Sequence, residues 1–373
     1  MKRVLYSLFF FFYVSLLITE RAYALPAHID GFGIFTFKSS VPAAASKDAA
    51  RAYARDIKAK GFSFAMVKSH DGSSWGTKVN GKWVPCFSKD LAEAFHAENM
   101  RVYSYFTARL QNDNSIVESV RLAALTLDMG ADGVIIDDLG LFGLEASKWE
   151  KVFSLLRKET DARKDKILMS STFPHLSNVK KRLWGITFKY SDYFLPQNYW
   201  MQFEAFDGHG KKKTMDPAHV LAYGQNQFDN MRARYPDSPC KLIPIGRTYG
   251  TNTNAASINR FINSAARFYH GAGLFVIEKE PAGGGWPALK TAMTAFKPGR
   301  KLSESLSCFD QVNGPCRDTP DKPAVSTPMP TEKKKGDKVL IANKKNPPQK
   351  QDPPTPLKKK IRFSPENEQS FKF

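Results

Sequence analysis

The segment GADGVIIDDLG, residues 130–140, constrains the fold more than any other part of this chain. Its small and apolar residues 133–136 lead directly into two carboxylates, Asp137 and Asp138. An uninterrupted apolar run of this kind is typical of a strand buried on both faces of a parallel sheet. Because the strand ends in charge, its carboxyl end is predicted to open onto a functional site, as strand ends do in (β/α)₈ barrels.

Strand and helix patterns alternate along the body of the chain, from Leu25 to about Lys301. The predicted strands are Gly31–Phe37, Ser63–Val67, Arg101–Phe106, the strand that ends at Asp137, Ile167–Ser171, Tyr193–Gln197, Lys241–Ile245 and Gly273–Ile277. The predicted helices are Lys47–Lys60, Ser88–Glu98, Ser115–Met129 with Asn114 as N-cap, Ala146–Thr160, Pro217–Arg234, Ala255–His270 and Pro287–Phe296. Eight strands at this length predict an α/β fold, a single (β/α)₈ TIM barrel. A glycine-rich phosphate loop does not follow the first strand, which argues against a dinucleotide site.

Residues 1–24 have the pattern of a signal peptide. Lys2 and Arg3 precede an apolar run of 15 residues, and Ala22, Tyr23 and Ala24 form an A-x-A cleavage site. The run is shorter than the roughly 20 residues of a membrane span, so an uncleaved anchor is the less favoured alternative. We therefore expect a secreted or periplasmic protein with its barrel in residues 25–300.

Residues 301–373 form a basic tail rich in Pro and Lys. This composition has too few apolar residues to offset the entropy lost on ordering, so the tail is predicted to be disordered. The tail contains 15 of the chain's Lys and Arg residues, and the whole chain has a formal net charge of +19. Nucleic acid is not the expected partner of an exported protein. We expect the positive charge to bind an anionic surface polymer, through the tail, or a membrane surface; the alternative is that the charge only aids solubility.

The four cysteines leave three full pairings open. Cys308 and Cys316 are close in sequence, and we predict a local disulfide between them. Cys86 and Cys240 are expected at opposite faces of the barrel, where a bond between them is awkward because bonded Cα atoms lie within about 7 Å. The spacing of the cysteines has no metal signature, and we predict neither a metal nor a cofactor.

Polar and aromatic side chains stand at almost every predicted strand end. The candidate substrate-binding residues are Lys68, Asp71, Trp75, Tyr105, Arg109, Asp138, Gln197, Tyr199, Trp200, Arg247, Tyr249 and Trp286. Rings mixed with amides and charges suit a sugar, whose C–H face stacks on aromatics while its hydroxyls need polar partners. Alternatively, single aromatic residues at these positions cap the core, and His70 is a residue of a surface loop.

Asp137 and Asp138 are expected to point to opposite faces, because side chains alternate along a strand. The two are therefore not expected to form a catalytic dyad. We predict that Asp137 enters the barrel mouth and that Asp138 bonds the neighbouring loop.

Two motifs resemble a known group of proteins. Asp132, Gly133 and Asp137 match a D-G-x-x-x-D segment, and the run LPQNYW, residues 195–200, resembles the sixth strand of such barrels. On these motifs the body, from Gly31 to about Phe296, resembles TIM-barrel glycoside hydrolases and their uncharacterised glycosidase-like relatives. The resemblance implies a catalytic acid at Asp137.

The chain also departs from the patterns of this group. Ile135 and Leu139 occupy positions where chitinase-like barrels carry further acids, and the D-x-E pair of lysozyme-like barrels is missing from the fourth strand. A second carboxylate must then come from elsewhere, and Glu278, after the eighth predicted strand, is the candidate proton donor.

Glycoside hydrolysis needs two carboxylates, one to donate a proton and one to attack the sugar or activate water. The leading hypothesis is a secreted glycoside hydrolase that acts on an envelope or extracellular polysaccharide. The main alternative is a non-catalytic glycan-binding barrel held at the cell surface by its basic tail. A metal-dependent phosphodiesterase or deacetylase is less favoured, because its possible ligands, His70, His175 and Asp137, are scattered.

Overall fold

The computed structural model describes residues 29–36, 40–107, 112–137, 145–172, 181–200, 204–206, 212–214, 216–248, 253–275, 285–293 and 296. The predicted signal peptide, the tail and the Cys308–Cys316 pair lie outside these residues. So do four candidate site residues: Arg109, Asp138, Tyr249 and Glu278.

Strands and helices alternate along the described body, as the sequence predicts. The strands are β1 (Gly31–Thr36), β2 (Phe64–Asp71), β3 (Ser74–Trp75), β4 (Thr77–Val79), β5 (Lys82–Val84), β6 (Arg101–Thr107), β7 (Gly133–Asp137), β8 (Ile167–Thr172), β9 (Tyr193–Pro196), β10 (Glu204–Phe206), β11 (Lys212–Thr214), β12 (Lys241–Leu242), β13 (Ile245–Arg247) and β14 (Gly271–Phe275). The helices are α1 (Ser40–Ala43), α2 (Lys47–Ala59), α3 (Lys89–Ala97), α4 (Asp113–Asp128), α5 (Ala146–Asp161), α6 (Lys181–Tyr190), α7 (Pro217–Arg232), α8 (Ala255–Phe268) and α9 (Gly285–Met293).

One parallel sheet organises these elements, in the order β12-β9-β8-β7-β6-β2-β1-β14-β13. Only Ile243 and Pro244 separate β12 from β13 in sequence, although these two strands form opposite ends of the order. A parallel bridge between Gln197, directly after β9, and Ile245 in β13 brings the two ends together. The sheet is therefore curled, and with the helices it fits a TIM barrel. The predicted α/β class is confirmed.

Two apolar layers result from the alternation of side chains along the strands. One cluster fills the inside of the curl and includes Phe35, Met66, Tyr105 and Ile135. The larger cluster lies between the strands and the helices, and it includes the neighbours of Ile135 in β7, Val134 and Ile136. Each fully buried side chain of this size contributes about 1.5–3 kcal/mol, which explains why β7 is apolar on both faces.

The inside of the curl is filled towards the amino ends of the strands. Gly33 of β1 stands beside the ring of Phe64, and a Cβ at this glycine would overlap that ring. Close packing here leaves the carboxyl ends of the strands as the place where polar side chains gather.

The structure corrects the sequence prediction in several local features. Helix α6 and the hairpins β4–β5 and β10–β11 were not predicted. Helix α4 has its N-cap at Asn112 rather than Asn114, because Asn112 and Ser115 form a reciprocal capping box. Among the described helices, none is both long enough and apolar enough to cross a membrane.

Candidate functional site

Three polar residues form one row at the carboxyl ends of neighbouring strands. Asp71 of β2 pairs in register with Thr107 of β6, and Thr107 pairs with Asp137 of β7. Alternation from the inward residues Tyr105 and Ile135 directs Thr107 and Asp137 into the curl. The row therefore places two carboxylates on the inner side of the same sheet edge, with a hydroxyl between them.

A bulge in β2 gives this row its first carboxylate. Lys68 pairs with Tyr105 and His70 with Phe106, so Ser69 is an extra residue in β2. The bulge shifts the alternation by one position. Lys68 and Asp71 consequently face the same side, whereas regular alternation would have directed them to opposite faces.

Lys68 is a buried cation within this site. Its Nζ donates a hydrogen bond to Thr107 Oγ1 at 2.9 Å and lies 3.8 Å from Asp71 Oδ2. The same ammonium stands 6.0 Å from the ring centroid of Tyr105. Only 4% of the surface of Lys68 is exposed, so its charge depends on these partners instead of water.

Asp137 is held by an amide from the end of β9, two strands along the sheet. Gln197 Nε2 donates to Asp137 Oδ1 at 2.8 Å and to Ser171 Oγ at 3.1 Å. Asp137 is 6% exposed and Gln197 is 5% exposed. The bridge at Gln197 and Ile245 fixes the backbone from which this amide projects, so the carboxylate is oriented by a rigid part of the sheet.

Aromatic rings and one arginine form the opposite wall. The guanidinium carbon of Arg247 lies 5.5 Å from the ring centroid of Tyr199, whose ring is 6.3 Å from that of Phe275. Phe35 continues the series, 5.7 Å from Phe275 and 5.1 Å from Tyr105. The wall therefore runs from the arginine back to the tyrosine that stands beside Lys68.

Two predicted binding residues lie elsewhere. The Trp200 indole is 1% exposed and packs 5.5 Å from Phe261 of α8, in the outer layer. Trp75 belongs to β3, pairs with His70 and packs partly buried against the same outer layer. Trp200 is thus a core aromatic and Trp75 a partly buried one, and both lie on the outer side of the strands.

The remaining candidates are only partly described. Of Trp286 the structure gives the backbone alone, in α9. Arg109, Asp138, Tyr249 and Glu278 follow β6, β7, β13 and β14 in sequence but lie outside the described residues, and their roles stay predictions.

The set of candidate binding residues chosen from the sequence leaves out several members of the site. Thr107 and Ser171 hold Lys68 and Gln197 in place, and Phe35 and Phe275 extend the aromatic wall. The two-residue alternation of side chains along each strand assigns all four to the inner face. Polarity at the strand end, the signal that was used, does not mark apolar members such as Phe35.

His70 is a core residue, neither a surface loop residue nor a metal ligand. Its ring is completely buried, stacks on Phe106 at 4.4 Å, and has its two nitrogens near the hydroxyls of Ser69 and Ser119. Burial, with a smaller effect from the charge of Lys68, lowers the pKa of His70 to about 3, against a small opposing effect of Ser119. Within the described residues, no three His, Cys, Asp or Glu side chains cluster as metal ligands would.

The buried imidazole makes stability depend on pH. Because the pKa falls from 6.5 in the unfolded chain to about 3, the unfolded state binds more protons between these values. The stabilisation that neutral His70 contributes to folding is fully present above about pH 6.5 and is lost as the pH falls towards 3. We expect His70→Gln to flatten the unfolding free energy between pH 4 and 6 by up to about 1.4 kcal/mol per pH unit in urea denaturation. His96→Gln, at an imidazole that is 39% exposed, is the control. An equal slope in wild type and His70→Gln would contradict the assignment.

Cys86 and Cys240 are both buried free thiols. The Cys86 thiol donates to the Lys68 carbonyl at 2.8 Å. Burial raises the pKa of Cys86 to about 12, against the opposing charge of Lys68, and burial raises that of Cys240 as well. Neither thiol is therefore a nucleophile at neutral pH.

Comparison with known proteins finds similarity in structure alone. No protein-family model and no curated protein sequence matches the chain. Solved structures with a similar fold include the spore cortex-lytic enzyme SleL of Bacillus megaterium QM B1551, with a TM-score of 0.48, 9% identity and coverage of 74% of this chain and 75% of that one. A GH5-4 broad specificity endoglucanase from Clostridium acetobutylicum has a TM-score of 0.47 and 10% identity over 71% and 96% of the two chains. A GH18 chitinase from Pseudoalteromonas aurantia has a TM-score of 0.44 and 14% identity over 70% and 99%.

Proposed function

We propose that this protein is a glycoside hydrolase that acts on an envelope or extracellular polysaccharide. The observation that carries the proposal is Asp137, a nearly buried carboxylate at the end of an apolar strand, held at 2.8 Å by the Gln197 amide. A carboxylate in such a place is costly to desolvate and is oriented by a fixed donor. Both features suit a group that acts on a bound substrate.

The second carboxylate has a candidate within the same row. Asp71 and Asp137 are separated by one strand, so two strand spacings of about 4.8 Å place their Cα atoms roughly 10 Å apart. Since both side chains point into the curl, their carboxyl groups converge. Inverting glycosidases separate their carboxyl groups by about 6.5–9.5 Å to admit a water molecule. Asp71 thus joins Glu278, the candidate from the sequence, as a possible partner of Asp137.

The wall of rings supports a sugar as the substrate. Tyr199 and Phe275 offer apolar faces for the C–H face of a pyranose, while Arg247 and Lys68 offer cationic donors for hydroxyl oxygens. An apolar platform with a few convergent polar groups is the usual composition of a small-molecule site. We propose that the sugar lies between this wall and the Asp71–Asp137 row.

Export and surface attachment complete the proposal. We propose that residues 1–24 direct the chain to the periplasm or the exterior, and that the basic tail, residues 301–373, binds an anionic surface polymer. Limited proteolysis should remove the tail and leave a folded body.

Release of reducing ends tests the proposed hydrolysis. The full mature chain is incubated with soluble polysaccharides and with cell-wall and exopolysaccharide preparations, and new reducing ends are counted over time. We expect release from at least one preparation, and none after heat denaturation. Glycan binding without any release of reducing ends across the panel would favour the alternative, a non-catalytic glycan-binding barrel.

A further inference from the structure

A short hairpin after β2 displays an exposed tryptophan. The Trp83 side chain belongs to β5 and is 45% exposed, and the other large apolar side chains exposed in the described chain are Val117 at 54% and Tyr235 at 36%. Asn80 and Gly81 connect β4 to β5 with positive φ angles of 49° and 81°, the backbone that a tight type I′ turn requires. Trp83 is therefore presented on a defined turn of the chain.

The hairpin is anchored to the strand that supplies Lys68 and Asp71. β3 pairs with the end of β2, and the Gly76 amide donates to the Ser69 carbonyl at 2.8 Å. After the hairpin, the Cys86 thiol donates to the Lys68 carbonyl, also at 2.8 Å. The segment that carries Trp83 is thus fastened at both ends to the bulged part of β2, next to the candidate site.

Pairing within the hairpin places a cation beside the ring. Lys78 is directly opposite Trp83, so the two side chains share one face. Lys82 is opposite Val79 and lies on the other face. Lys78, Lys82 and Trp83 are all exposed. One face therefore combines an indole with an ammonium, while the other carries an ammonium without an exposed ring.

We propose that the Trp83–Lys78 face is a binding platform for a uronic acid unit of the glycan chain that enters the mouth. A pyranose stacks its C–H face on an indole, which leaves a carboxylate at the edge of that sugar free to reach the ammonium of Lys78, the residue paired with Trp83 on the same face. The proposal rests on the proposed glycoside hydrolase function and extends it to acidic polysaccharides. The positive charge of the whole chain, +19, agrees with an anionic ligand.

A protein partner fits this face less well. A stable protein interface buries about 800 Å² on each partner and has an apolar centre. Around Trp83 the hairpin offers Lys78, Asn80, Gly81 and Lys82, which are polar or small and exposed. A single ring is too small for such an interface but matches one sugar unit.

Binding measurements on an inactive background test the platform. Asp137→Asn, which should slow turnover by about 10²–10⁴-fold, is the background, and oligomers from polygalacturonate, alginate and hyaluronan serve as ligands in calorimetry. We expect at least one of these oligomers to bind, and adding Trp83→Ala to weaken that binding about tenfold, as the loss of one stacked ring implies. Lys78→Gln should weaken binding of the acidic oligomer several-fold and leave binding of its carboxyl-reduced form unchanged. Lys82→Gln, with the same charge change on the opposite face, is the matched control and should change neither.

Several results would overturn the platform. These are binding that is unaffected by Trp83→Ala, equal loss with Lys78→Gln and Lys82→Gln, no binding of any of the three oligomers, or a Trp83-dependent dimer in sedimentation. Failure of the platform and failure of the hydrolase proposal are distinguishable. If Trp83→Ala hydrolyses the long polymer with wild-type KM, the platform is wrong and the hydrolase stands. If binding depends on Trp83 but the wild type releases no reducing ends, the platform proposal holds and the hydrolase proposal is wrong.

Discussion

Asp137→Asn should lower hydrolysis by about 10²–10⁴-fold without unfolding the protein, the effect expected for loss of a positioned acid or base. The asparagine has the same shape, and its amide oxygen still accepts the hydrogen bond that Gln197 donates at 2.8 Å. The change removes the charge and the ability to transfer a proton or attack a sugar. Rates of reducing-end release, together with circular dichroism and urea denaturation, measure the two parts of this prediction separately.

The same strand provides a matched control. Asp132 stands just before β7, at the opposite end from Asp137, and its Oδ2 accepts hydrogen bonds from the Val102 amide at 2.8 Å and from His96 Nε2 at 3.0 Å. Asp132→Asn makes the same chemical change far from the mouth. We expect it to cost about 1–2 kcal/mol of stability and to leave turnover within a few-fold of wild type.

The site assignment is wrong if Asp132→Asn loses activity while Asp137→Asn keeps it. If Asp137→Asn keeps full activity, the catalytic carboxylate is another residue even though the barrel is unchanged. Asp71→Asn and Glu278→Gln, measured in the same assay, show which of these two acids also takes part in hydrolysis. An acid that protonates the leaving group is needed least on substrates with a good leaving group, so its variant should be least impaired on those substrates.

Much of the fold could be predicted because burial leaves a regular trace in the sequence. Strand β7 is apolar on both faces, since Val134 and Ile136 face the helices while Ile135 faces the inside. Alternation then correctly assigns Asp137 to the inner side. Helix α6 was missed because Gly185 interrupts its sequence with a residue of low helix propensity. The structure gives a reason for that glycine, because a side chain there would overlap the Tyr235 hydroxyl.

The candidate site was harder to predict, because it depends on departures from regularity. An extra residue at Ser69 brings Lys68 and Asp71 to one face, and an alternating pattern cannot reveal this before the partner strand is known. Trp200 is a different case. Two-residue alternation from Tyr193 directs Gln197 and Tyr199 inward and Trp200 outward. The direction of Trp200 could therefore be predicted from alternation, but not from its residue type.

Lys68→Met should have the largest effect on stability. The Lys68–Asp71 pair spans 3.8 Å between side chains that are 5% and 17% exposed. Removing the cation leaves Asp71 without this partner in a place with little water, and it removes the 2.9 Å hydrogen bond to Thr107. We expect the unfolding free energy to fall by about 2–4 kcal/mol, in the range for breaking a buried ion pair from one side.

Lys89→Met is the control for this prediction, because it removes the same charge from an exposed ion pair instead of a buried one. The Lys89–Glu93 pair spans nearly the same distance, 3.7 Å, but its side chains are 72% and 52% exposed. Exposed pairs on a helix contribute about 0.3–0.5 kcal/mol, so this variant should unfold at almost the wild-type urea concentration. Adding Asp71→Asn to Lys68→Met should recover part of the loss, because the neutral amide does not need a neighbouring cation. Equal midpoints for Lys68→Met and Lys89→Met would show that water reaches Asp71 freely, and the carboxylate row would then be an open surface instead of an enclosed site.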